Sequence, residues 1–393
     1  MNSKDTIIHA GWLINGSGGP ASKDVLIKLS DRIISSIADY TPGHDEYLDF
    51  TDCTIIPALC DSHTHLAISG RLDPEIRDNQ LHYGYDQAEA MITGHVRNYL
   101  KHGVLYVRDG GDFHAHTLRF KNLHHGKKGN NLSIYAAGNG IHVKGRYGQL
   151  LGMHLTPGRE LAQAIFEDFR PGMDHVKIVN SGVNSLTEFG KETSPQFSVD
   201  ELKGAVRAAE SIGLKVMVHA NGKEPVRMVV ESGCHTVEHG FFMDADNLKR
   251  MADKGTIWVP TICTMKAYMD NSAPESGVHH VAKKNLTHQL EQVEMAIRYG
   301  VTIALGTDAG SPGVYHGSGV IEELGLLLKA GLSIEEAIKC ATSNAMQLIS
   351  DAPNTGTLSN GNQATFVAIK GKPADLPDSL KKIREIWVNG KRI

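Results

Sequence analysis

From about residue 55 onward, short apolar runs rich in β-branched residues alternate with stretches in which apolar residues recur every three to four positions. Eight runs of the first kind can be counted: "TIIPALCDSH", "GVLYVRDGG", "LSIYAAGNG", "DHVKIVNSG", "LKVMVHANG", "CHTVEHG", "TIWVPTI" and "VTIALGTDAG". Most end in Gly, Asn or Asp, which suit the exit from a strand into a turn. The intervening stretches predict amphipathic helices. In "SVDELKGAVRAAESIG", Ser198 and Glu201 stand in capping-box spacing, so hydroxyl and carboxylate satisfy the orphan amides of the first turn, and Gly213 closes the helix. "SIEEAIKCATSNAMQLI" repeats the signal with Ser333 and Glu336. Strand and helix in alternation imply a parallel sheet. Eight units favour a closed (β/α)8 TIM barrel over an open doubly wound sheet of about five or six strands.

The two ends of the chain follow another pattern. Residues 4–56 alternate as short strands broken by turns ("TIIHAGWLINGSGG", "DVLIKLSDRIISSI", "YLDFTDCTII"), and residues 355–393 do the same. There "TGTLSNGNQATFVAIKGKP" and "KIREIWVNGKRI" predict two strand pairs with Gly-Asn and Asn-Gly turns. The termini are therefore expected to meet in one discontinuous β-sandwich domain, residues 1–56 plus 355–393, beside a barrel of residues 57–354. "INGSGG" lacks both the spacing of a dinucleotide fingerprint and a helix after it, so it predicts a hairpin turn and not a phosphate loop. The basic stretch "KNLHHGKKGNN", residues 121–131, predicts a solvated loop.

Composition narrows the partners. The 393 residues carry 40 Lys+Arg and 44 Asp+Glu, a formal net charge of -4, with no basic stripe of the kind that binds nucleic acid. A small neutral or mixed-charge substrate fits better. No cationic segment followed by a long apolar one opens the chain, and no window approaches a membrane span of ~20 residues. The expectation is a soluble, cytoplasmic protein without a membrane partner, with homo-oligomerisation left open. Five cysteines, odd in number and widely spaced, indicate buried reduced thiols and neither a disulfide framework nor a zinc knuckle.

Candidate chemistry recurs at the ends of the runs, where a parallel barrel places its active site. His63 and His65 close the first run, and their period-2 spacing turns both side chains to one side. His219 ends the fifth, His239 the sixth and Asp308 the eighth. Lys177 interrupts the apolar fourth run, an oddity because an unpartnered buried ammonium is costly. Each could be structural alone; together, imidazole nitrogen and carboxylate oxygen suit Zn²⁺ and its first-row neighbours better than Ca²⁺ or Mg²⁺. Cys60 is expected in the core. Asp61 is placed to orient a ligand histidine or to serve structure.

On "LINGSGGP", "IIPALCDSHTH", "VKIVNSG", "VHANG", "VEHG", "GTDAG", "ATSNAMQL" and "GTLSNGNQATFVAIKG", the chain resembles the amidohydrolase superfamily of metal-dependent hydrolases over nearly its whole length. Within it, the chain is most similar to the imidazolonepropionase-related group and its Xaa-Pro dipeptidase and N-acyl-amino-acid hydrolase branch. The resemblance implies a binuclear site for two divalent ions, Zn²⁺ foremost. His63, His65 and Asp308 would hold the buried ion, His219 and His239 the exposed one, and Lys177, carboxylated by CO₂ to a carbamate, would bridge them. It implies amide hydrolysis by a hydroxide shared between the ions, with Asp308 as general acid/base.

The substrate expected is a dipeptide or N-acyl amino acid. After the third run, however, "GNGIHVKGRYGQLLGMH" departs from the Gly-Gly-His loop of those relatives; His142, Lys144, Arg146 and Tyr147 are the candidates there to meet a substrate carboxylate. Ring opening of an imidazolone, hydantoin or lactone is the alternative. A deaminase would carry a glutamate soon after His219, and Glu224 lies past a Gly. A metal-free scaffold would have lost ligands, and all six positions stand.

Overall fold

A computed structural model describes residues 5–43, 46–124, 126, 131–156 and 159–393. Of the basic stretch 121–131, expected to be a loop, residues 121–124 instead close the helix His116–His124, whose register they continue, and most of the remainder lies outside the described residues. The chain opens with β1 (Thr6–Leu13), β2 (Ser22–Ser30), β3 (Ile33–Asp39) and β4 (Leu48–Pro57). After Ala58 come β5 (Leu59–Thr64), β6 (Val104–Asp109), β7 (Ser133–Ala136), β8 (Gly140–Val143) and β9 (Gly152–Leu155). They are followed by β10 (His175–Val179), β11 (Lys215–Ala220), β12 (Thr236–His239) and β13 (Ile257–Val259), and the chain closes with β14 (Phe366–Lys370), β15 (Ile383–Val388) and β16 (Lys391–Arg392).

Both termini build one seven-stranded sheet, ordered β16-β15-β14-β4-β1-β2-β3. Its inner face buries Ile8, Val25, Ile27, Phe50, Ile55 and Phe366 in a cluster separate from the main core. The "INGSGG" turn joins the antiparallel pair β1 and β2, and Asn389 and Gly390, both at positive φ, turn β15 into β16. The stretch expected to give a strand pair at 355–373 gives β14 alone, tied to β3 by a single bridge between Ile33 and Gln363.

The central segment forms two parallel sheets, β5-β6-β7 and β13-β12-β11-β10-β8-β9, with helices between their strands. The run "VTIALGTDAG" forms no continuous strand. It hydrogen-bonds to both sheets: Trp258 N–H to Thr302 O (2.9 Å) and Ala304 N–H to Trp258 O (2.9 Å) on the β13 side, Ser62 N–H to Leu305 O (2.9 Å) and Asp308 N–H to His63 O (2.7 Å) on the β5 side. Gly306 permits this squeeze, since a Cβ there would lie 2.4 Å from Val259 Cγ1 and 2.8 Å from His63 Cβ.

The capping boxes at Ser198 and Ser333 open the helices Val199–Ser211 and Ile334–Cys340. The second helix stops short of the length expected for it. The carbonyls of Cys340 and Ala341 accept from Leu305 and Cys60 N–H instead, and a separate turn, Ser343–Met346, follows. The third run also differs: Gly138, at φ 77°, ends it after β7, and β8 takes the place beside β10. The segment after it, read as loop, supplies the parallel pair β8 and β9. All five cysteines are buried and unpaired, and among the described residues no helix is long and apolar enough to cross a membrane.

Candidate active site

The parallel strands deliver their polar C-terminal ends to one cavity of about 320 Å³, lined by His63, His65, Lys177, His219, His239 and Asp308 among others. His63 and His65 come from the end of β5, Lys177 from the middle of β10, His219 from β11 and His239 from β12. Asp308 follows the segment squeezed between β13 and β5. All six side chains converge: His63 Nε2 is 3.4 Å from Lys177 Nζ and 3.5 Å from Asp308 Oδ1, and His65 Nε2 is 3.4 Å from the same oxygen. The His219 and His239 rings lie 4.6 Å apart, and His239 lies 4.8 Å from His63. His239 and Asp308 hold left-handed backbone (φ 67° and 57°), a strained conformation that in folded proteins concentrates at functional sites.

The donor set fits a divalent cation. One ligand atom each from His63, His65 and Asp308 lies within 4.8 Å of the others. Each of the four histidines has one ring nitrogen occupied by an outer partner, and in three of them it is Nδ1. His63 Nδ1 meets Glu238 Oε2 at 2.7 Å, His65 Nδ1 meets Gly111 O at 2.8 Å, and His239 Nδ1 meets Thr261 Oγ1 at 2.7 Å. His219 uses Nε2 instead, 3.0 Å from Gly182 O, which leaves its Nδ1 for the cavity. Such outer partners fix the tautomer and aim the free lone pair.

Electrostatics follow from burial. Removal from water, reinforced by the Lys177 charge, lowers His63 to about 4 and His219 to about 3, so both rings are neutral, as metal ligands must be. Burial likewise lowers the Lys177 ammonium to about 8. For Asp308 burial acts upward, but the His65 hydrogen bond and the facing imidazoles outweigh it and hold the carboxyl well below its ordinary value.

The candidates after the third run divide. Tyr147 lines the cavity, its ring 5.2 Å from that of His219. His142 does not reach it and bonds Val143 O through Nδ1. Lys144 and Arg146 are exposed, and Arg146 donates to Ser194 O (2.7 Å). Asp61 accepts from Thr307 and Tyr99 and from the His63 backbone N–H, not from an imidazole. Ring orientation falls to Glu238, which sequence reasoning passed over together with its partner Arg108. Glu238 Oε1 lies 2.6 Å from Arg108 Nη2, and both side chains are buried. The signal was available: each, like Lys177, is a charge inside an apolar run.

The sequence profile of the amidohydrolase family matches residues 54–393. The chain is 27% identical to the ochratoxinase of Aspergillus niger, over 99% of this chain and 86% of that one. It is 23% identical to the imidazolonepropionase of Clostridium tetani, over 94% and 86%. Among solved structures, a Xaa-Pro dipeptidase with methionine bound in its active site superposes with a TM-score of 0.84 at 27% identity, over 99% and 100% of the two chains. With the histidines, the lysine and the aspartate gathered at one cavity beside the parallel sheets, these matches place the chain in the amidohydrolase family, as a hydrolase acting on carbon–nitrogen bonds.

Proposed function

We propose that this cavity holds two divalent metal ions, Zn²⁺ foremost, and hydrolyses the amide bond of a small substrate, a dipeptide or an N-acyl amino acid. The observation that carries the reading is the convergence of His63, His65, Lys177, His219, His239 and Asp308 on one cavity. His63, His65 and Asp308 would hold one ion, and His219 and His239 the other. Addition of the uncharged Lys177 Nζ to CO₂, with loss of a proton, would give an anionic carbamate able to bridge both. That accounts for a lysine only 2% exposed among neutral imidazoles. Bound there, the ions would polarise a carbonyl and bring the pKa of water from ~15.7 towards ~7.

The chain's own groups supply the rest. Asp308, held by Ser311 Oγ at 2.7 Å, is placed to accept a proton from the attacking water and to return it to the departing nitrogen. Without that return the amine would have to leave as an anion. Tyr147 lines the same cavity, beside His219. The same reading takes the two parallel sheets and segment 301–309 as one closed (β/α)8 barrel, residues 57–354. It takes the terminal sheet as a curled β-sandwich domain of residues 1–56 and 355–393.

Deamination is less well supported: Glu224 is exposed, paired with Arg227 at 2.6 Å, and absent from the cavity wall. The test is a substrate panel of dipeptides, N-acyl amino acids, cyclic amides and lactones. Release of a free amino acid, lost on chelation and restored by Zn²⁺ or Mn²⁺, is expected; turnover of cyclic amides or lactones alone would replace this reading.

A further inference from the structure

Arg77 is a charged group that the proposed hydrolysis leaves unused. It sits in the short helix Pro74–Gln80, capped by Asp73, and its side chain is half-buried at the cavity wall. Nη1 donates to Ser69 O and Gly310 O, both at 2.8 Å, and more distantly to Arg71 O at 3.4 Å. Nε and Nη2 make no hydrogen bond, and Arg77 forms no ion pair, among the described residues. A guanidinium has five N–H donors in a rigid fork that matches a carboxylate. Here part of the fork is anchored and the rest is free.

What surrounds it points to an anion of the substrate. Among the described residues, Asp308 is the sole carboxylate in the cavity wall. Tyr147 and Tyr268 line the same wall and offer phenolic O–H donors beside the guanidinium. Gly310 lies two residues past Asp308, so the backbone that carries the proton-transferring carboxylate also positions Arg77.

Arg77 also stands where the cavity meets a second, outer one of about 530 Å³, the two sharing Ile68, Arg77, Leu150, Tyr268 and Pro312. The outer wall is largely apolar, with Leu72, Pro74, Leu81 and Ala267, and the one acid among its described residues, Asp78, is exposed. We infer that Arg77 binds the free carboxylate of the substrate's C-terminal amino acid and directs that residue's apolar side chain into the outer cavity. This rests on the hydrolase reading above. It narrows the substrates to free acids ending in a large apolar residue.

Two measurements separate this inference from that reading. In the first, the metal-replete protein is given N-acetylphenylalanine and its carboxamide, then N-acetyl derivatives of Gly, Asp and Lys. The free acid of phenylalanine is expected to have the highest kcat/KM. Arg77→Met should lower it roughly 100-fold, mostly through KM, change the carboxamide less than about 3-fold and leave metal content unaltered; Arg77→Lys should recover part of the loss. In the second, binding of the same acid and carboxamide to the metal-free protein is measured by titration calorimetry, with the acid tighter in wild type alone. If Arg77→Met does not fold, Arg77→Lys carries both comparisons with a smaller loss confined to the acid. Equal binding of acid and carboxamide, equal loss on both, or preference for Asp or Lys derivatives would overturn the inference. Acid-selective binding without turnover would uphold Arg77 and remove the hydrolase reading instead.

Discussion

His63 and Glu238 form a buried pair, Nδ1 to Oε2 at 2.7 Å, neither side chain more than 1% exposed. Burial alone would raise the Glu238 carboxyl, but Arg108 and His63 outweigh it and hold it well below its usual range, so it is an anion throughout the working pH range. The anion keeps the His63 proton on Nδ1 and leaves Nε2 bare, facing Lys177 and Asp308. One carboxylate thereby couples the charged interior below the site to the ligands above it.

Glu238→Gln preserves shape and removes that anion, leaving Arg108 buried without its counter-charge. A loss of about 3–5 kcal/mol in unfolding free energy is expected, with metal affinity about 10–100-fold weaker. Urea denaturation and competitive metal titration measure the two. A variant as stable and as tightly metallated as wild type would mean the pair is not what orients His63.

Asp308→Asn tests proton transfer apart from backbone strain, because Asn tolerates the left-handed conformation that Asp308 adopts. The expected result is a fall in kcat of about 10²–10⁴ with little change in melting temperature. Metal content is to be measured alongside, since a variant that has lost its metal reports on binding and not on the proton.

Much of the candidate site was legible because parallel strands carry polar side chains where they end: His63, His65, His219, His239 and Asp308 each stand at the exit of an apolar run. Lys177 was legible as a charge out of place. Arg108 and Glu238 belonged to the same category, but they act through contacts between β6, β12 and β5 that no local pattern displays. Arg77 was invisible for another reason. It lies on a seven-residue helix after β5, and only the fold brings it to Gly310. The β8–β9 pair was hidden because each strand is only four residues long and opens on a glycine, too short for a period to emerge. The break before Ser343 was hidden because the carbonyls that end the helix are taken by β5 and segment 301–309, partners distant in sequence.

Glu323, on the helix Ser318–Lys329, accepts from Ile262 and Cys263 N–H at 2.9 and 2.8 Å and so fixes the start of the neighbouring helix. Burial raises its carboxyl from 4.5 to about 7, against the pull of those two amides. The folded state therefore holds a proton that the unfolded state releases above about pH 4.5. The Glu323 contribution is fully present below that pH and is lost as pH rises towards about 7, on the order of 3 kcal/mol in all. Comparison of urea unfolding at pH 5 and pH 8 in wild type and Glu323→Gln should show this decline in wild type only. Parallel pH dependences would refute it.

Metal stoichiometry tests most directly whether a Lys177 carbamate bridges two ions. Mass-spectrometric metal analysis of the purified protein, metallated in bicarbonate buffer, should give about two equivalents per chain for wild type. Lys177→Ala should give no more than about one, with turnover lost. A wild-type protein that is fully active with one equivalent, or a Lys177→Ala variant that keeps two equivalents and full turnover, would contradict the bridge.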